Sequence, residues 1–294
     1  MTPWLGEASV REHLESISDR VGIDLVTHGT TSDADTIRNT AIAQPLIVAA
    51  GVLTLRALFE GREALHSPTS GVLGVAGHSV GEVTAAIAAG ILSEADAMMF
   101  VRERGNAMAH SASLAETGMS AVVGGDEAEL LAALTELGLE PANFNGGGQI
   151  VVAGDLGALE ALKAAPPAGA RVIPLAVAGA FHTKYMAGAT TALRSVAATL
   201  QPENPKCAIF TNKDGSRVST GAAYLDLLIG QVSRPVRWDK TMESFHAAGV
   251  TGIIELAPAG ALVGLAKRAL KGLPTVAVKT PDDLAAALDL IDGK

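Results

Sequence analysis

The sequence is poor in cysteine, aromatic residues and positive charge, and each shortage excludes a class of protein. The single cysteine, Cys207, cannot form an internal disulfide, and no cysteine and histidine spacing predicts a metal site. Aromatic residues make up 3% of the chain and hydrophobic residues 48%, so alanine, valine and leucine must build the core. The net charge of −9 argues against a nucleic-acid partner, because phosphates need a basic surface.

Signals for export and for membrane insertion are also missing. The N-terminus has no basic segment followed by an apolar one, and no uncharged apolar stretch is long enough to cross a bilayer. We therefore expect no membrane partner and a soluble protein in a reducing, cytoplasmic setting. At 294 residues the chain is long enough for one large α/β domain, with or without an insertion.

The stretch from Gly71 to Gly90 has the pattern of a nucleophile elbow. An apolar run from Val72 to Ala76 predicts a buried strand, and small apolar residues further on predict a helix. Between them stands G-H-S-V-G, and a strand that turns into a helix at G-x-S-x-G exposes the serine hydroxyl. Ser79 is therefore the candidate nucleophile, and the N–H of Val80 at the helix start is the candidate oxyanion donor. The alternative interpretation is a plain glycine-rich turn.

A serine hydroxyl needs a base before it can act as a nucleophile, and the chain has seven histidines. His182 lies in Gly179 to Thr183, where the chain leaves a predicted insertion, and clefts commonly form at such junctions. His78 adjoins Ser79, but neighbouring residues in a turn point apart, so it is a poor candidate for the base. The remaining histidines lie in loops or on helix faces with no catalytic partner in view: His13, His28, His66, His110 and His246.

Arg104 is a second candidate for chemistry, in a helix predicted from Ser93 to Ser113. The ordinary interpretation is a surface arginine paired with a nearby acid. The alternative is a planar fork that binds the carboxylate of a substrate.

The order of predicted elements indicates an α/β fold with an inserted α+β unit. Residues 117–178 form a βαβαβ run, with a further short strand near Asn143, and resemble a small ferredoxin-like subdomain. Residues 1–116 and 179–294 would then form a large, hydrolase-like α/β domain whose parallel sheet carries the elbow. We also expect Ser32 to cap a helix from Ala34 to Asn39, and Pro45 to kink or restart a longer helix.

Several motifs together resemble those of malonyl-CoA:acyl-carrier-protein transacylases of bacterial type II fatty-acid synthesis, in their actinobacterial form. The resemblance runs in order over essentially the whole chain. Its motifs are Gly77 to Glu82, Arg104-Gly105, Gly118 to Val122, Asn145 to Gly154, Gly179 to Thr183, Gln231 with Pro235 to Trp238, and Ala266 to Arg268.

The resemblance implies a ping-pong reaction in fatty-acid or polyketide synthesis, with no cofactor and a monomeric enzyme. Ser79 would take a malonyl group from malonyl-CoA and pass it to the phosphopantetheine thiol of holo acyl carrier protein. His182 would be the base, oriented by a backbone carbonyl near Gln231 in place of an aspartate. Arg104 would hold the malonyl carboxylate through two hydrogen bonds.

Further substrate contacts are implied by the same resemblance. The residues concerned are His78, Asn145, Phe181 and Gln231. An aromatic ring beside the catalytic histidine is typical of malonyl-specific members, because its bulk crowds an α-methyl branch. Phe181 therefore predicts selection against methylmalonyl groups.

The start of the chain departs from the family pattern. Members begin with an apolar strand and a Gly-Gln-Gly loop, whereas Met1-Thr2-Pro3-Trp4 resembles the segment just after that loop. The glutamine of that loop donates a second N–H to the oxyanion, and losing such a donor costs ~10²–10³ in rate. Losing the strand exposes hydrogen-bonding edges. We expect lower stability and lower activity for the chain as written.

Acyl carrier proteins are acidic, so docking on this acidic chain requires a local basic patch. We define the basic patch as Lys267, Arg268 and Lys271 on one predicted helix, with Lys184 and Lys279 as further candidates. The alternative for these residues is an ordinary solvated helix face.

Two other functions stay open at this point. A serine hydrolase of the α/β class would need an acid between serine and histidine in the chain and a histidine near the C-terminus. A weakly active homologue would bind carrier protein without acylating its own serine.

Overall fold

Two short parallel sheets and one five-stranded sheet organise the chain in the computed structural model, which describes residues 1–67 and 69–294. The helices are α1 (Ala8–Val21), α2 (Leu25–Thr30), α3 (Ala34–Arg38), α4 (Thr40–Phe59), α5 (Gly81–Ala88), α6 (Glu94–Ser113), α7 (Glu127–Leu137), α8 (Leu156–Ala164), α9 (Ala187–Ala197), α10 (Gly221–Gln231), α11 (Trp238–Ala247), α12 (Ala261–Ala269) and α13 (Leu284–Ile291). The strands are β1 (Gly74–Val75), β2 (Thr117–Gly124), β3 (Glu140–Gly146), β4 (Gln149–Asp155), β5 (Ala170–Pro174), β6 (Ala208–Ile209), β7 (Val236–Arg237), β8 (Ile253–Glu255) and β9 (Thr275–Ala277).

The parallel strands are shorter than the sequence predicts. β1 pairs in parallel with β6, and β8 pairs in parallel with β9, as two separate two-stranded sheets. The strand expected from Val72 to Ala76 is reduced to the two half-buried residues of β1, and Leu73 is exposed. The expectation of a fully buried strand was therefore wrong. Within the described residues β1 has one neighbouring strand, so pairing extends only as far as β6 does.

The largest core cluster packs helices against these strands and contains few aromatic side chains. Its members include buried residues of α4, α5, α6 and α10, such as Val52, Val83 and Leu228. α4 packs against α6; residues 48–54 of α4 are buried on every side of the helix, whereas α6 buries one long face. This packing places α5, which follows the elbow, beside α6, which carries Arg104.

Helix α4 is the one helix in the described part of the chain that is long and apolar enough to cross a membrane by length and composition. Its 18-residue window has a mean hydropathy of 1.8, and 56% of that window is buried inside the fold. Pro45 does not restart the helix, which runs unbroken from Thr40. Proline has no backbone N–H, so one helical hydrogen bond is missing, and the buried residues before and after Pro45 stabilise the helix.

The five-stranded sheet has the order β5-β2-β4-β3-β7. Its first four strands are antiparallel, and with α7 and α8 they form a βαββαβ unit, the ferredoxin-like connection. The short strand predicted near Asn143 is confirmed as β3. The fifth strand, β7, comes from the C-terminal part of the chain and pairs in parallel with β3. This pairing joins the segment after α10 directly to the ferredoxin-like unit.

Two local predictions need correction. The N-cap of α3 is Asp33, whose side chain accepts the N–H of Thr36, and not Ser32. The sequence also predicts a helix from Phe181 to Leu200. That helix is interrupted at its start, because His182 has a left-handed φ of +62°, and α9 begins only at Ala187. That backbone turn directs His182 into the interior, where it is 4% exposed.

The elbow depends on close contact between two backbone segments at Gly77. A Cβ atom at this position would lie 2.0 Å from the carbonyl carbon of Gly81, so even alanine cannot fit. At Gly81 a Cβ would meet nothing within 4 Å. Packing therefore requires glycine at position 77 of the elbow but not at position 81.

We predict that Gly77→Ala lowers the free energy of unfolding by about 3 kcal/mol or more, because backbone atoms must move to admit the methyl group. Gly81→Ala is the matched control and should be neutral or stabilising by up to about 1 kcal/mol, since alanine favours a helix. Urea unfolding of both variants and the wild type measures the difference. Equal stability of the two variants would contradict this account of the elbow.

Candidate active site

The backbone at Ser79 has a left-handed φ of +52°, which is rare for a residue other than glycine. Asn212, just after β6, holds this turn from two sides. Its Oδ1 accepts the N–H of Ser79 at 2.7 Å, and its Nδ2 donates to the carbonyl of Gly77 at 2.6 Å. The strained turn lies between β1 and α5, which is the position of a nucleophile elbow.

Ser79 and His182 are in direct hydrogen-bond contact. The distance from Ser79 Oγ to His182 Nε2 is 2.7 Å, and His182 Nδ1 lies 2.9 Å from the backbone carbonyl of Gln231. A carbonyl oxygen only accepts, so Nδ1 carries the proton and Nε2 presents its lone pair to the serine hydroxyl. A backbone carbonyl thus does the orienting that an aspartate does in a Ser-His-Asp triad.

The environment keeps His182 neutral. Burial, and to a smaller extent the nearby positive charge of Arg104, together lower the pKa of His182 to about 3. The imidazole is therefore an available proton acceptor throughout the neutral range.

Arg104 is the largest side chain that is fully buried in the described part of the chain, at 1% exposure. Its Nη2 donates to Ser79 Oγ at 3.3 Å and to Gln231 Oε1 at 2.6 Å, and its Nη1 donates to Gln44 Oε1 at 2.5 Å. Its Nε–H has no partner among residues 1–67 and 69–294. The guanidinium is thus not the paired surface arginine that we considered, and it retains a free donor close to the nucleophile.

Glu82 lies behind this arrangement, on the first turn of α5. Its carboxylate accepts the N–H of Asn212 at 2.7 Å and a hydrogen bond from Gln231 Nε2. Burial raises the pKa of Glu82 to about 7, against these hydrogen bonds and the charge of Arg104. Burial also lowers the pKa of Arg104 to about 10, so the guanidinium stays charged at neutral pH.

Comparison with known proteins decides the family. Residues 7–282 match the acyl transferase domain. A malonyl CoA-acyl carrier protein transacylase of Mycolicibacterium smegmatis is 46% identical over 288 residues, which cover 97% of this chain and 98% of the relative. The chain belongs to the malonyl CoA-acyl carrier protein transacylase family. A relative with the same name from Escherichia coli is 32% identical over 96% of this chain and 91% of its own length.

Solved structures of transacylases have the same fold. A crystal structure of the enzyme from Mycobacterium tuberculosis superposes with a TM-score of 0.92 at 44% identity, covering 98% of this chain and 94% of that one. A second structure holds a type II polyketide acyl carrier protein in complex with its malonyl-transacylase. It matches with a TM-score of 0.87 at 29% identity, over 96% of this chain and 91% of that one. The hydrolase-like α/β fold class is therefore confirmed.

The other residues expected to contact a transacylase substrate lie around this centre. His78 Nε2 is 3.0 Å from Asn145 Oδ1, and Asn145 donates in turn to Gln149, so the two join the elbow to β3 and β4. Phe181 is half-buried and packs against both the large core cluster and the sheet of the ferredoxin-like unit. The N–H of Val80 has no hydrogen-bond partner in the described chain and stands at the start of α5.

Sequence reasoning missed three residues of this transacylase site: Gln44, Glu82 and Asn212. Each had a signal, since Gln44 and Glu82 are isolated polar residues in apolar helices, and Asn212 lies in the turn after the short strand β6. Isolated polar residues in apolar segments must find buried partners, but the sequence does not name those partners.

The charges of the site predict how stability depends on pH. The pKa of His182 is lowered by burial from 6.5 to about 3, so between these values the unfolded chain binds more protons and acidification destabilises the fold. The pKa of Glu82 is raised by burial from 4.5 to about 7, so between these values acidification has the opposite effect. Replacing His182 removes its contribution to the pH dependence of stability and leaves that of Glu82.

We predict that His182→Asn loses less stability than the wild type between pH 7.5 and pH 5, by about 2 kcal/mol. The measurement is the free energy of unfolding in urea at both pH values. His246→Asn, at an exposed histidine, is the control and should behave as the wild type does. The same pH-dependent loss in His182→Asn and the wild type would show that His182 is not held neutral by the fold.

Proposed function

We propose that this protein transfers the malonyl group of malonyl-CoA to the thiol of holo acyl carrier protein through a malonyl ester on Ser79. The observation that carries the proposal is that a buried guanidinium lies 3.3 Å from the hydroxyl of an activated serine. A thioester whose acyl group ends in a carboxylate can then meet a nucleophile and a positive charge together. The relatives named above act on malonyl CoA and acyl carrier protein according to their names.

Acylation begins when Ser79 Oγ attacks the thioester carbonyl and His182 Nε2 takes the hydroxyl proton. The N–H of Val80 is placed to donate to the oxygen that becomes negative, because it has no other partner and lies at the positive end of α5. The C–S bond then breaks, His182 returns its proton to the sulfur, and coenzyme A leaves as the thiol.

Deacylation repeats the same steps with the thiol of the carrier protein as the nucleophile. His182 takes the thiol proton, the sulfur attacks the ester carbonyl, and the proton passes to Ser79 Oγ as the C–O bond breaks. Water competes with the thiol for the ester, so burial of His182 and Arg104 favours transfer over hydrolysis.

The serine hydrolase alternative has less support. His182 is held by the carbonyl of Gln231 and not by a carboxylate, and the buried Arg104 beside the serine favours acyl groups that end in an acid.

Phe181, next to His182, supports selectivity for malonyl over methylmalonyl groups. Its ring packs against two core clusters and has little freedom to move away from an α-methyl group.

The basic patch supports docking of an acidic carrier protein. Lys267 and Arg268 are exposed in the last turn of α12, and Lys271 is exposed just after it. Lys279 is also exposed, but it lies beside Gly260 at the opposite end of α12. Gly147 lies against Arg268, so α12 adjoins the β3–β4 turn that follows Asn145 and the end of β3. Lys184 is a weaker candidate, because its ammonium pairs with Glu140 at 3.1 Å.

The setting that we propose is a monomeric enzyme in the cytoplasm, serving fatty-acid or polyketide synthesis. Support for this setting comes from the family, whose solved members include a complex with a polyketide carrier protein.

We predict that mixing the protein with malonyl-CoA gives a malonyl adduct by intact mass, and that Ser79→Ala gives none. Holo carrier protein should remove the adduct and gain the malonyl group. No adduct on the folded wild type would contradict the proposal. An adduct that water removes as fast as carrier protein does would favour the hydrolase alternative.

The same discharge assay tests the basic patch. In Lys267→Glu with Arg268→Glu the adduct should form at the wild-type rate, because the patch is not part of the acylation chemistry. Transfer to carrier protein should slow, and the slowing should diminish in high salt. If the double variant transfers its malonyl group to carrier protein at the wild-type rate, the basic patch is not the docking surface.

A further inference from the structure

Two glutamine side chains hold the guanidinium of Arg104, and both present their carbonyl oxygen to it. Gln44 Oε1 accepts from Nη1 at 2.5 Å, and Gln231 Oε1 accepts from Nη2 at 2.6 Å. Amide oxygens satisfy the N–H groups without cancelling the positive charge, as a carboxylate in their place would. The charge therefore remains available at the serine.

An amide side chain can present either its oxygen or its NH₂, so a further contact must fix its direction. The Nε2 of Gln44 lies 3.3 Å from the thioether sulfur of Met108, which can only accept a hydrogen bond. The Nε2 of Gln231 donates to the carboxylate of Glu82 and to the carbonyl of Ser79 at 3.0 Å. In both cases an acceptor binds the NH₂ end and turns the oxygen towards Arg104.

We propose that Glu82 and Met108 are positioning residues for Arg104, because they fix the direction of the two glutamine amides that hold its guanidinium. Through this arrangement they make Ser79 select acyl groups that carry a carboxylate. The inference rests on the proposed malonyl transfer and adds to it two residues that act through their neighbours.

A reversed amide would displace the guanidinium. It would direct an NH₂ group at the N–H of Arg104, two donors would face each other in a buried space, and one of them would have to move. The malonyl carboxylate needs Arg104 at a fixed distance from Ser79, whereas an acetyl group has no carboxylate to place. Displacement of Arg104 therefore penalises malonyl transfer selectively, and a misplacement of about 1 Å can cost ~10²-fold in rate.

Glu82→Gln tests this arrangement without changing the size of the side chain. One carboxylate oxygen accepts the N–H of Asn212 at 2.7 Å and the other accepts from Gln231. A glutamine at this position must direct its own NH₂ at one of these two donors. The N–H of Asn212 belongs to the backbone and cannot turn, so the oxygen of the new glutamine stays with it. Its NH₂ then faces the NH₂ of Gln231, whose amide can turn, and the fixed direction of Gln231 is lost.

Met108→Leu is an independent second variant, because it removes the acceptor for Gln44 while conserving volume. Met98→Leu is its matched control. Met98 is buried in the same helix, at 0% exposure against 2% for Met108, and its sulfur accepts no hydrogen bond in the described part of the chain.

The measurement is the second-order rate constant for acylation of Ser79 by malonyl-CoA and by acetyl-CoA, followed by mass spectrometry. Glu82→Gln should lower the malonyl-to-acetyl ratio about 10-fold or more, because Arg104 loses its fixed position. Met108→Leu should lower the ratio about 3-fold, because one weak hydrogen bond is lost. Met98→Leu should keep the wild-type ratio.

If Glu82→Gln and Met108→Leu lower the rate constants for malonyl-CoA and acetyl-CoA by the same factor, the inference is overturned. Glu82 and Met108 would then have a structural role only. If Glu82→Gln does not fold, Met108→Leu decides alone, and an unchanged ratio in that variant overturns the inference. Absence of a malonyl adduct on the wild type would instead contradict the proposed function itself.

Discussion

The positive charge of Arg104 in the protein interior is the constraint on which the arrangement around Ser79 depends. Burying a guanidinium is costly unless hydrogen bonds satisfy its N–H groups. Here the partners are two amide oxygens and the serine hydroxyl, all of them uncharged. The nearest carboxylate, Glu82, is held behind Gln231 and does not contact the guanidinium directly. The positive charge of Arg104 is thus not neutralised by the protein, and it remains available for a substrate that carries a negative charge.

Gln231 joins the three functions of the site in one residue. Its backbone carbonyl orients His182, its side-chain oxygen holds Arg104, and its side-chain nitrogen reaches the carbonyl of Ser79. Burial, together with the positive charge of Arg104, lowers the pKa of His182 and keeps it unprotonated, so that the base remains free to accept the proton of Ser79. Because α10 ends at Gln231 and β7 follows shortly after, this residue also lies close to the pairing with the ferredoxin-like unit.

Local patterns predicted the parts of the site that local rules govern. The elbow follows from G-x-S-x-G between a strand and a helix, and the ferredoxin-like unit follows from its alternating elements. Local patterns did not predict the contacts of Gln44 and Glu82 over long sequence separations: Gln44 reaches Arg104 across 60 residues, and Glu82 reaches Gln231 across 149. The contacts of His182 with Ser79 and with the carbonyl of Gln231 were expected only from the family resemblance. The short length of β1 escaped prediction for the same reason, since apolar composition indicates a strand but its extent depends on the neighbouring strand, β6.

The most direct test of the central claim is Arg104→Gln, with acylation of Ser79 by malonyl-CoA compared with acylation by acetyl-CoA. If the buried charge serves the substrate carboxylate, the malonyl rate falls by ~10–100-fold, the value of a charge-assisted pair, while the acetyl rate is unchanged or rises. If both rates fall by the same factor, the guanidinium supports the structure of the site and not the selection of its substrate. That result would contradict the account.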